Sequence, residues 1–414
     1  MIQTIVTLSA LLLSAGILLT GNGLQGTLLA VRGNLEGFSP STVGLLMAGY
    51  FAGFIIGCVI APRIVRRVGH IRAFAVFAAV AASVILLHAL IVDPLAWTLL
   101  RGANGICLAG LYMIIESWLN ERSPNELRGS VISIYRIVDL TATTGGLILL
   151  TLADPMGFPL FCLVAILICL GLVPVALTRT MAPAPVEQVQ IRLRRLYRLS
   201  PLGVIGCLGF GVASGAFWGM GPVYAQAGGL PLDDVAYFMA AMMIGGAIAQ
   251  WPIGWLSDKF DRRTVLTVVL FLASAAGLAL VLIFGQSPRI MLAGAALFGA
   301  TMIPIYSLCI AHANDFMQPS DFVEGSSGLL LVNGIGAVIG PLAGSALMEA
   351  AGPRYLFAFT AVVHAAVGLF ALYRMTRRAA KPADEQSSFV AVPRTSPAVF
   401  AIDPRSQEAA KAAE

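Results

Sequence analysis

Four charged residues fall where a charge is expensive. Glu116 sits in the stretch "AGLYMIIESWLNERS", one turn before the polar residues begin, and Arg101 lies upstream in the same apolar run. Arg136 and Asp139 lie three residues apart in the next apolar run. A carboxylate or guanidinium in an apolar medium persists only when paired, neutralised or turned to an aqueous cavity. Two chemistries suit this set. One is a structural ion-pair network pinning neighbouring helices. The other is a protonation site, in which Glu116 and Asp139 compete for Arg136 and titrate as a coupled pair.

Helices must position these groups. Arg101, Gly105, Leu108, Tyr112 and Glu116 follow steps of four, three, four and four, which is one helical stripe. Arg136, Asp139 and Thr143 form a second, and Asn22 and Gln25 are three apart in the first apolar run. At about 1.5 Å per residue, Glu116 lies about 6–8 Å from the end of its helix. Arg136 lies about 10 Å and Asp139 about 15 Å into the next. A tight hairpin is then expected to set Glu116 opposite Arg136.

Of 414 residues, 58% are hydrophobic and 11% are charged, with a mean hydropathy of +0.86. Soluble domains carry about 25% charged residues, so this chain is read as a polytopic membrane protein. Twelve stretches are long and apolar enough to span: 4–31, 41–62, 72–93, 95–119, 129–152, 158–178, 202–227, 234–256, 263–284, 289–313, 325–349 and 354–375. The first is too long, and too poor in basic residues, to read as a signal peptide. The even-numbered loops and the tail as far as Lys381 carry eighteen lysines and arginines, against three on the other side. That bias predicts two cytoplasmic termini.

Residues 1–178 and 202–378 read as two six-helix bundles. The connection 179–201 reads as a linker ending in a short basic amphipathic helix on the inner leaflet, and 379–414 as a disordered cytoplasmic tail. The halves share a layout. "GFIIGCVIAPRIVRRVGHI" from Gly53 and "GGAIAQWPIGWLSDKFDRR" from Gly245 align at a shift of 192. "LFCLVAILICL" from Leu160 and "LFAFTAVVHAA" from Leu356 align at a shift of 196.

Several motifs resemble those of the major facilitator superfamily. Gly254-Trp-Leu-Ser-Asp258-Lys-Phe-Asp261-Arg262-Arg263 resembles its G-x-x-x-D-x-x-G-R-[RK] signature, with Asp261 in place of the glycine. The earlier copy keeps Gly69 but has Arg66 at the acid position and Pro62 at the first glycine. Arg101-Gly-Ala-Asn104-Gly105 resembles an R-x-x-[QN]-G motif, and "GIGAVIGPLAG" from Gly334 resembles a helix-packing motif. "RVGHIR" and "GLYMIIESWLN" resemble the YcaD-like group of bacterial transporters. The resemblance covers residues 1–378. It implies an all-α fold of two six-helix bundles related by a pseudo-two-fold axis, working by alternating access. It also implies a gate at Gly254, Asp258, Arg262, Arg263 and Gly69, and proton coupling for Arg101.

The second half has no intramembrane acid. Its polar groups are Trp218, Tyr224, Gln250, Tyr306 and Asn333, which with Asn22, Gln25 and Tyr112 are candidates for a substrate cavity; each is also a plausible packing residue. His88, His364 and the six cysteines lie in apolar runs and read as core. No Walker loop, zincin helix or nucleophile elbow occurs. The reading is a monomeric, non-enzymatic secondary transporter of a small molecule, with protons and lipids as partners. No metal, cofactor or nucleic acid is implied. A membrane scaffold or assembly factor of the same fold is the competing reading, and it has no use for a buried ionisable cluster.

Overall fold

The computed structural model describes residues 2–177, 191–318, 321–382 and 385–403. Its spanning helices are α1 (Ile2–Leu35), α2 (Pro40–Val68), α3 (His70–Leu90), α4 (Pro94–Arg122), α5 (Arg128–Ile148) and α6 (Pro159–Ala176) in the first half. A short α7 (Leu193–Leu199) leads into α8 (Pro201–Ala227), α9 (Leu232–Lys259), α10 (Arg262–Leu282), α11 (Pro288–Asn314), α12 (Phe322–Ala351) and α13 (Tyr355–Arg377). The one-turn α14 (Val399–Ile402) lies in the tail. No strand occurs among the described residues, and twelve helices are long and apolar enough to cross a membrane.

Local chemistry sets the helix ends. Proline opens α2, α4 and α8, where its missing N–H costs nothing. Ser39, Asp93 and Ser200 cap those helices, their side-chain oxygens accepting from Thr42, Ala96 and Gly203 N–H groups. Gly69 alone separates α2 from α3. Its φ of 84° is open to glycine and strained for other residues.

Small residues let helices approach to backbone contact, and they do so at equivalent places in both halves. A Cβ on Gly53 would stand 2.0 Å from the Gly102 carbonyl, joining α2 to α4. One on Gly245 would stand 2.0 Å from the Ala296 carbonyl, joining α9 to α11. Gly146 meets Thr20 across α5 and α1, as Gly340 meets Val212 across α12 and α8. Outward faces expose Leu99, Ile137, Ile248 and Val362, the apolar belt a helix shows to lipid.

The halves touch at the end away from the basic loops. Asn34 donates to Gln226 at 3.1 Å, and the Ser41 N–H donates to Glu349 at 3.0 Å. Gly44 lies so near Pro341 and Ser345 that a Cβ would overlap both.

One sequence expectation gains detail here and another changes. Only part of the linker is described, and its short basic helix, α7, packs one face on α8 and α12. Leu196 is buried beside Gly325 and Gly328, while Arg192 and Arg195 pair with Glu324 and Asp321. The tail expected to be disordered is folded back over residues 385–403. Val399, Phe400 and Ile402 are fully buried there. An apolar trio in a polar tail has a reason to stay out of water.

Candidate functional site

A cavity of about 830 Å³ lies between the halves. One wall comes from α1, α2, α4 and α5, the other from α8, α9, α11 and α12. It reaches past Cys58 and Arg63 toward the basic end of α2, and its far end is shut by the Asn34–Gln226 contact. Asn22, Arg101, Tyr112, Asp139, Trp218 and Asn333 face it.

Four sequence candidates stand outside that wall. Gln25 is fully buried with no hydrogen-bond partner. Three helical steps leave it about 60° off the face of Asn22. The Tyr224 hydroxyl donates to the Leu280 carbonyl at 2.6 Å inside a cluster of phenylalanine rings. Tyr306 is buried against Phe210. Gln250 is reached only through Arg136.

Arg136 is the hub. Its Nη1 donates to Asp139 Oδ2 at 2.5 Å, and its Nε and Nη2 donate to Gln250 Oε1, each at 3.3 Å. Gln250 Nε2 donates to Ser307 Oγ at 3.4 Å. The chain Asp139–Arg136–Gln250–Ser307 therefore runs from α5 across the interface to α9 and α11. The i, i+3 spacing stacks Arg136 over Asp139 on one face.

The pairing of Glu116 with Arg136 is not what the structure holds. Glu116, fully buried on α4, accepts from the Tyr135 hydroxyl at 2.8 Å and from the Thr395 and Ser396 hydroxyls of the tail. Tyr135 and Arg136 are successive residues, so about 100° of rotation separates them. Tyr135 takes the face toward α4, and Arg136 takes the cavity face. No cation pairs with Glu116 among the described residues. Hydroxyls can donate to a carboxylate or accept from a carboxylic acid, so the site accommodates both protonation states.

Arg101 stands apart from this cluster. It lies 4.3 Å over the Tyr50 ring and donates to Asn104 Oδ1 at 3.2 Å.

The residues expected to form a gate, Gly69 apart, converge at the basic end of the second half. Arg262 is 1% exposed and donates to both oxygens of Asp315, at 2.8 and 2.9 Å, and to Asp258 at 3.0 Å. Burial pushes the Asp315 carboxyl above its ordinary value, against the pull of Arg262. Arg263 pairs with Asp261 at 2.9 Å and donates to the Arg378 carbonyl at 2.6 Å. The tail closes over this group. The Ser387 N–H and hydroxyl donate to Asp315, and the Phe389 N–H donates to Asp258. Phe389 also fills the notch that Gly254 leaves open. Gly69, at the corresponding turn of the first half, shapes a corner and holds no acid.

Tyr135, Asp315 and the tail hydroxyls are functional candidates that sequence reasoning passed over. Asp315 carried one signal, an acid at the very end of an apolar span.

A family model described as Major Facilitator Superfamily matches residues 11–283 and 205–404. The chain belongs to the major facilitator superfamily. This transporter is 26% identical over 342 residues to a protein of Escherichia fergusonii named uncharacterized MFS-type transporter YcaD, covering 82% of this chain and 88% of that one. Its fold is similar to that of the nucleoside transporter NupG, with a TM-score of 0.74 at 11% identity, over 89% of this chain and 99% of that one. It is also similar to an inward-facing, unoccupied bacterial homolog of the human lysosomal transporter Spinster. There the TM-score is 0.72 at 17% identity, over 92% of this chain and 99% of that one.

Proposed function

We propose that the chain moves a small molecule across the bacterial inner membrane by rocking its two halves about the central cavity, driven by protons. The observation that carries this reading is the cavity itself. It is shut at one end, extends toward the basic loops where the tail covers it, and is bordered by an ionisable chain that joins the halves at Arg136 and Gln250. The excess of arginine and lysine on those loops supports placing that end, and both termini, in the cytoplasm.

Proton transfer falls to Glu116 and Asp139. With Asp139 ionised, Arg136 is compensated and bridges to Gln250 of the other half. A proton on Asp139 removes that compensation, which weakens the hold of Arg136 on its own helix and changes what it offers to α9. Glu116 changes its bonds to Tyr135 and to the tail in the same way. Each half-reaction is then tied to a contact that differs between the open and closed arrangements, as coupling requires.

The tail belongs to this cycle. Arg394, Thr395, Pro397, Ala398 and Ala401 line the same cavity as Asn22 and Trp218, so tail and substrate exclude each other from the cytoplasmic route. Substrate entry from that side requires the tail to withdraw from Glu116.

Proteoliposomes loaded with a pH-sensitive dye test the coupling. A substrate panel is expected to include compounds that dissipate an imposed pH gradient, and Glu116→Gln is expected to abolish the flux while keeping the fold. Wild-type, pH-driven flux in the Gln variant would remove Glu116 from the mechanism.

A further inference from the structure

Arg101 lacks the counter-charge that Arg136, Arg262 and Arg263 possess. Arg136 holds Asp139, Arg262 holds Asp315, and Arg263 holds Asp261. Arg101 is 3% exposed, and among the described residues no carboxylate pairs with it. Its polar contacts are neutral. Nη1 donates to Asn104, the guanidinium lies over the Tyr50 ring, and Nε has no hydrogen-bond partner. The Tyr112 hydroxyl beside it is also buried and unpartnered.

Snorkelling does not explain this arrangement. Arg101 lies seven residues into α4, about 10 Å from the sealed end. Its side chain turns inward and lines the cavity. Gly26 on α1 borders the guanidinium, and a Cβ there would stand in ordinary contact, 3.5 Å from Nη2. Burying an uncompensated cation is expensive, and the cost is recovered when a ligand supplies the missing charge. A guanidinium presents a planar fork of donors matched to an oxyanion.

The surroundings define the rest of the ligand. Tyr50, Phe54 and Tyr112 form a row of rings with centres 6.0 and 6.4 Å apart, and Trp218 faces the cavity from the other half. Arg136 is already paired with Asp139, and Arg394 of the tail, which also lines the cavity, lies over the Phe210 ring, so Arg101 is the unpaired positive charge at the sealed end.

We propose that Arg101 anchors a singly charged organic oxyanion at the sealed end of the cavity, with its apolar or aromatic body against Tyr50, Phe54, Tyr112 and Trp218. The proposal rests on the transporter reading and names its substrate class. A carboxylate and a phosphate monoester share the oxyanion chemistry. The second carries more charge than one guanidinium compensates and binds more weakly.

The test uses the full chain in detergent and reads the thermal unfolding midpoint with added probes. Benzoate and 2-naphthoate are compared with benzamide, benzylamine and phenyl phosphate. The carboxylates are expected to raise the midpoint in a saturable way, phenyl phosphate less so, and the amide and amine not at all. Arg101→Gln is expected to weaken carboxylate binding at least tenfold, and Arg101→Lys to retain part of it. If the Gln variant does not fold, the Lys variant carries the comparison, because it keeps the charge and loses the fork. Equal stabilisation by benzamide, wild-type benzoate binding in both variants, or no carboxylate shift at saturating probe overturns the proposal. Binding is read without a gradient. A carboxylate that binds through Arg101 but is not taken up by proteoliposomes therefore counts against transport and not against the site. Uptake of a neutral solute indifferent to Arg101 counts the other way.

Discussion

The two halves share a skeleton and divide the chemistry. Helices α2 and α4 meet through Gly53 as α9 and α11 meet through Gly245, with the same 2.0 Å approach of a notional Cβ to a backbone oxygen. Within the membrane the first half carries Arg101, Glu116, Arg136 and Asp139, whereas the second offers Gln250, Ser307 and Asn333. At the basic end the pattern reverses. Asp258, Arg262 and Asp315 lie in the second half, and the first has Gly69 and Arg66 at the matching turn. A duplicated frame can thus keep its packing in both copies while one specialises in ions at mid-depth and the other in a clasp at the surface.

Breaking the mid-depth chain gives the largest expected effect. Arg136→Ala leaves Asp139 uncompensated and cuts the bridge to Gln250. It is expected to cost about 3–5 kcal/mol. Thermal unfolding in detergent reads this, and an unchanged midpoint would mean that the first half is not braced by charge. The shared skeleton is tested by matched substitutions. Gly53→Ala and Gly245→Ala should each cost about 1–3 kcal/mol through overpacking. Unequal costs would show that the two frames differ mechanically despite their common geometry.

The clasp gives a smaller effect than the mid-depth chain. Asp315→Asn removes the charge that holds Arg262 and weakens the two bonds from Ser387, a loss of about 1–3 kcal/mol. Spin labels at Lys259 and Val390 should move apart in that variant; unchanged distances would assign the tail's position to its apolar residues alone. Least of all, truncation after Lys381 should leave membrane insertion unchanged and speed substrate entry from the basic side. Loss of insertion would make the tail part of the fold.

Most of the architecture was legible because long apolar runs and basic loops are strong signals. The span estimated at 129–152 matches α5 and the 3-10 turn that follows it to within one residue. The Arg136–Asp139 pair was legible because both partners lie on one helix three residues apart. The partner of Glu116 was not. Depth along a helix follows from counting residues, but the direction a residue faces depends on how neighbouring helices are rotated, and that is settled by packing. One residue of rotation gave the contact to Tyr135. The tail was misread for a related reason. Composition reports whether a segment can build its own core, and "RTSPAVF" cannot. It borrows one, because α4 supplies Glu116 for its hydroxyls and α14, with Val399 and Phe400 buried, packs against α4, α5 and α12.

The glycine contacts within each half carry a further consequence. Helices locked at backbone distance behave as two stiff plates, so the width of the cavity is set by the angle between them. A guest then acts as a wedge. One thin enough to let the plates swing past it is carried through, while a bulkier one with the same anchoring group props them ajar and stops the cycle. For this protein, the difference between cargo and inhibitor is expected to be a matter of thickness beyond the anchoring group, and a homologous series lengthened one ring at a time should cross from one to the other.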